Sequence, residues 1–86
     1  MFVVVQHRIS DPRDFWPVKG QAIEMVASGL KLHHTFSSPD GSKAVGLWEA
    51  PSVAALRAYL EPALGLVSRN DYFEVANKDG VAIPRL

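Results

Sequence analysis

Cysteine is absent from all 86 positions, which excludes a disulfide framework, thiolate chemistry and a cysteine-ligated zinc site. Charge of either sign is in no excess, because nine Lys and Arg are matched by nine Asp and Glu. No stretch gathers the basic residues into a stripe, so the local positive field that phosphate neutralisation requires is missing and no nucleic-acid partner is expected. Long apolar runs are missing too. Met1-Phe2-Val3-Val4-Val5 is interrupted at once by Gln6-His7-Arg8 and has no preceding positive region, so it reads as neither a signal peptide nor a membrane span. The expectation is a cytoplasmic protein with no membrane partner. A Gly-rich phosphate loop and a nucleotide fingerprint are also lacking, and Ser37 and Ser38 have no nucleophile-elbow context.

What is present is globular composition: 48% of the residues are apolar, in short segments separated by Pro, Gly or Asp. A chain of this length makes one domain, residues 1–86, with a thin core. Residues 2–8, with three consecutive valines, predict a first strand buried on both faces and therefore central. Residues 10–17 read as a loop, and the spacing of Ala22, Ile23, Val26 and Ala27 predicts a helix over 18–28 that Gly29 stops. Pro39-Asp40-Gly41-Ser42 supplies a turn between two strands. Ser52 caps a second helix whose apolar face is Val53, Leu56, Leu60 and Ala63, and Pro62 predicts its end or bend near Tyr59 and Leu60. A last strand runs over 71–76, and residues 77–86 form a tail or a short edge strand.

Strand, helix, strand, strand, helix, strand is the ferredoxin-like order, an α+β sandwich whose antiparallel sheet carries both helices on one face. The second face then needs another cover, and a homodimer supplies it. If the turn joins directly opposed flanks, Ser38 faces Lys43, Phe36 pairs with Val45 and His34 with Leu47, while Thr35 pairs with Gly46 and His33 with Trp48. Phe36, Val45 and Leu47 are expected to meet the helices, leaving His33, Thr35, Gly46 and Trp48 to face outward. Adjacent strand residues point to opposite faces, so only one of His33 and His34 is expected to serve a given site. Opposite Thr35, Gly46 leaves a depression beside Trp48 and His33, to which Tyr72 and Glu74 contribute from the last strand if Phe73 and Val75 face the helices. A small organic ligand bound there would contact Trp48, Tyr72 and Thr35, with His33 as general base if the protein is an enzyme.

Two alternatives stand beside this reading. Imidazole and carboxylate donors suit nickel or zinc, and His7, His33, Glu49 and Glu74 are the candidate ligands. The same surface also serves a purely structural homodimer. The stretch His34-Thr35-Phe36-Ser37-Ser38-Pro39-Asp40-Gly41, followed by Leu47-Trp48-Glu49-Ala50-Pro51-Ser52 and then residues 53–57, resembles small bacterial nickel-binding-type proteins of uncharacterised function. The similarity spans residues 32–75. It implies a dimeric, ferredoxin-like α/β-barrel organisation, with Asp40-Gly41 at the hairpin turn and Glu49-Ala50-Pro51 at the junction between strand and helix. The broader resemblance is to dimeric α/β-barrel proteins, among them small cofactorless monooxygenases and isomerases that use a cavity between sheet and helices.

Overall fold

A computed structural model describes residues 1–24 and 29–76. The elements are β1 (Phe2–Ile9), α1 (Pro12–Glu24), β2 (Lys31–Ser37), β3 (Lys43–Glu49), α2 (Val53–Leu64) and β4 (Ser68–Val75). The four strands form one antiparallel sheet in the order β2-β3-β1-β4, so β1 is central as expected, but it is buried on the helix side alone, since Val4 is half-buried and Gln6 and Arg8 are exposed on the other. This α+β arrangement is compatible with a ferredoxin-like fold. Among the described residues no helix is long and apolar enough to cross a membrane. The expected tail at 77–86 lies outside the described residues.

The core forms where alternate residues of the sheet meet the helices. Val3, Val5, His7 and Ile9 of β1 are buried, in register with Trp48, Gly46 and Ala44 of β3 and with Tyr72 and Asn70 of β4. Phe15 of α1 and Leu56, Leu60 and Leu64 of α2 join the same buried cluster. The hairpin faces are therefore the reverse of those expected. Trp48 is fully buried on the helix side, whereas Phe36 and Val45 remain 67% and 39% exposed on the other side. Both faces of the hairpin are apolar, so its own pattern cannot choose between them. The bulk of the indole and its register with Val3 decide it. Tyr72 goes inward with Trp48, and Phe73 is 43% exposed on the open side.

Both helices differ from expectation at a proline. α1 begins at Pro12, six residues before the predicted start and within the predicted loop. Asp11 caps it, accepting a 3.0 Å bond from the Arg13 amide, and Pro12 occupies the first helical position, where a missing N–H is harmless. Pro17 lies inside α1, and Pro62 inside α2, which runs on to Leu64 rather than ending near Leu60. Each ring deprives the carbonyl four residues earlier of its helical donor. Pro17 and Arg13 are both exposed, as are Pro62 and Ala58, so water reaches the freed carbonyls. Ser52 caps α2 as predicted, its Oγ accepting from the Ala55 amide at 3.0 Å. The Ser38–Gly41 turn also holds. Gly41 takes a φ of 76°, and Asp40 Oδ1 accepts from the Ser42 amide, Ser38 Oγ and Ser42 Oγ, which keeps its carboxyl at about 2.

Candidate functional site beneath the first helix

β1 alternation sends the His7 side chain into the layer between sheet and helices, level with Ala44 and Asn70. Once α1 starts at Pro12, Phe15 and Lys19 stand four residues apart on one helical stripe and descend together onto that layer. Lys19 is only 1% exposed and His7 only 3%. Lys19 Nζ lies 3.1 Å from His7 Nε2, and His7 Nδ1 lies 2.6 Å from Asn70 Oδ1.

The orientation of Asn70 assigns the protons. Its Oδ1 accepts from Ser68 Oγ at 2.7 Å and its Nδ2 reaches Glu61 Oε1 at 3.4 Å, so Oδ1 faces His7. An amide oxygen only accepts, so Nδ1 carries the imidazole proton and the bare Nε2 accepts from Lys19. Burial, reinforced by the charge on Lys19 and opposed by the bond to Asn70, lowers His7 to about 4. Burial alone lowers Lys19 to about 8. A neutral imidazole thus holds an amine that is readily deprotonated near neutral pH.

The rest of the layer is built around a missing side chain. A methyl group on Gly46 would come 3.1 Å from Trp48 Nε1 and 3.5 Å from Lys19 Nζ, so the indole N–H and the amine converge over the glycine. Thr35 is its cross-strand partner on β2. Trp48 Nε1 and Thr35 Oγ1 are buried and neither has a hydrogen-bond partner among the described residues. Phe15 closes the layer, with its ring centroid 5.1 Å from that of His7 and 5.9 Å from Lys19 Nζ.

No protein-family model, curated protein or solved structure matches this chain. The placement of its own residues carries the functional argument.

Of the expected ligand contacts, Trp48 lies over Gly46 and Thr35 is the cross-strand partner of that glycine, on the helix side rather than on the outer face. Tyr72 lies further along the same row, beyond Val5 and on the α2 side, with Arg57 5.1 Å over its ring. Burial and then the Glu61 carboxylate push its phenol up. His33 is elsewhere. The hairpin ladder holds for Phe36 with Val45, His34 with Leu47 and Thr35 with Gly46, but a β-bulge between Leu32 and His34 makes Leu32, not His33, the partner of Trp48. The extra residue turns His33 to the open face, where Nε2 is 3.0 Å from Glu49 Oε1 and the ring is 5.5 Å from Phe2. His34 stacks on Phe36 on that same face, so both histidines share it, contrary to strict alternation.

The four candidate metal ligands are likewise divided. His33 and Glu49 pair on the open face, His7 points to the opposite side, and Glu74 is an exposed residue in register with Val3. Among the described residues no group of three or more His, Asp or Glu is placed to hold a metal ion. On the open side, a depression of about 210 Å³ lies over Gln6, Lys43, Val45 and Asp71 rather than beside Thr35. Sequence reasoning missed Lys19 altogether. The capping pair Asp11-Pro12 was the clue, because it sets the helical phase that places Lys19 under Phe15.

Proposed function

We propose that the protein is a homodimer that binds a small organic molecule in the layer between the sheet and α1, through a carbonyl or carboxylate oxygen. One observation carries this reading. The buried amine of Lys19 and the unpartnered N–H of Trp48 converge over Gly46, and the cross-strand partner of that glycine, Thr35, carries a further buried, unpartnered hydroxyl. A buried polar group without a partner destabilises the fold by about 1–3 kcal/mol, and an oxygen acceptor arriving in the layer relieves it. The half-buried Leu32 and Thr35, on the edge strand β2, mark the side from which a small molecule enters.

The dimer follows from the other face. Phe36, Val45 and Phe73 are exposed there beside the half-buried Phe2, Val4 and Leu47, a broad apolar surface that a second sheet of the same kind covers.

Calorimetric titration with lactate, acetate and benzoate tests the binding reading. Saturable binding of at least one is expected, weakened about tenfold by Trp48→Phe or Thr35→Val through loss of one hydrogen bond. Absence of binding across the set, or binding indifferent to both substitutions, refutes it.

A further inference from the structure

Resting on that site, we infer that Lys19 is a nucleophile that condenses with a small aldehyde or α-keto acid to form a covalent imine, with His7 as the proton carrier. A buried lysine is ordinarily held by a carboxylate, which keeps it charged. No carboxylate among the described side chains lies within ion-pairing distance of Lys19, and its hydrogen-bond partner is the lone pair of His7 Nε2. An amine held this way can give up a proton without leaving a buried anion behind. Its lowered value, about 8, is consistent with that arrangement.

His7 is anchored through Nδ1 to Asn70, which Ser68 and Glu61 hold in turn, so Nε2 is fixed toward the amine. Over Gly46, where Nζ also lies, Trp48 Nε1 stands unpartnered among the described residues, so that a carbonyl or carboxylate oxygen would accept from it. Acceptor, nucleophile and donor therefore share one layer. Lys31 and Lys43 are exposed on the sheet and lack this setting.

The chemistry balances without a redox partner. The Lys19 ammonium passes one proton to His7 Nε2, an uphill transfer that is only transient because His7 is the weaker base, and the freed lone pair forms a bond to the carbonyl carbon while the C=O π pair moves to oxygen. A proton shifts from nitrogen to that oxygen, giving a carbinolamine. The nitrogen lone pair then forms C=N as the C–O bond breaks, and the hydroxyl leaves as water with the proton returned by His7. Ammonium and carbonyl have become iminium and water, and His7 is again neutral.

The test pairs pyruvate with lactate, which has the same carboxylate but no carbonyl to condense. The untagged full chain is incubated with pyruvate and sodium cyanoborohydride, and the reduced adducts are located by peptide mass spectrometry. Adduct formation at Lys19 at least about tenfold faster than at Lys31 or Lys43 is expected, because an amine near 8 is far more often neutral at pH 7.5. Lys19→Arg should abolish the adduct at this position, and His7→Gln should slow it about tenfold. Lactate binding with pyruvate adducts confined to Lys31, Lys43 or the N-terminus overturns the nucleophile and leaves the binding site standing. Absence of binding by lactate, acetate and benzoate together with absence of the Lys19 adduct overturns both. If His7→Gln does not fold, the contest among lysines in the unaltered protein decides the matter by itself.

Discussion

At the scale of single residues, burying Lys19 and His7 side by side makes stability depend on pH in two separate windows. Lys19 falls from 10.5 to about 8 on folding, so between these values the unfolded chain holds the extra proton and stability rises with pH. The full rise is about 3 kcal/mol. His7 falls from 6.5 to about 4, so stability is lost as pH drops from 6.5 toward 4, again by about 3 kcal/mol. Urea midpoints measured from pH 4 to 10.5 should show both slopes. Lys19→Met should erase the alkaline rise, whereas an unchanged rise would mean that the amine is not buried in solution. Gly46→Ala is a second test of the layer. With Trp48 Nε1 only 3.1 Å from the new methyl, the indole must shift, and destabilisation of about 1–3 kcal/mol is expected in the same urea experiment.

At the scale of elements, α1 depends on its first turn. Asp11 and Pro12 set the phase that carries Phe15 and Lys19 inward, and the 3.0 Å bond from the Arg13 amide secures that start. Asp11→Ala should destabilise the protein by about 1 kcal/mol, read as a lower urea midpoint, whereas Asp14→Ala, without that capping bond, should change it less. The β-bulge is the corresponding feature of β2. Much of this hairpin was legible, because Pro39-Asp40-Gly41-Ser42 determines the turn and thereby the pairing as far as His34 with Leu47. The bulge was not, since an extra residue in one strand changes no local propensity and appears only when Leu32 packs opposite Trp48. The α1 start was hidden for a different reason. Pro17 is an ordinary helix breaker unless the carbonyl it orphans faces water, and that is a property of where the helix docks.

At the scale of the whole molecule, the proposed dimer makes a concentration-dependent prediction. Sedimentation at low micromolar concentration should show two chains, and the paired substitution Phe73→Lys and Val45→Lys should yield monomers, because both side chains project from the open face. The binding layer lies on the opposite side of the sheet, so lactate affinity should survive in the monomer if each subunit carries a whole site. A wild-type monomer at these concentrations would refute the dimer while leaving the site intact.

The amino-acid sequence by itself determined the order of elements, the central place of β1, the hairpin turn and the cap of α2. Each of these rests on local chemistry: β-branched residues in a row, a Pro-Asp-Gly turn, a serine before an apolar helical stripe. It also singled out Trp48 and Thr35 together. Which way they face was decided by the tertiary structure, because the hairpin is apolar on both sides and only packing against Val3, Val5 and α1 distinguishes them. The same holds for Lys19 and His7, twelve residues apart in the chain and joined at 3.1 Å. Nothing in either segment marks a buried amine. It exists because a helical phase and a strand alternation, each set locally, meet across the core.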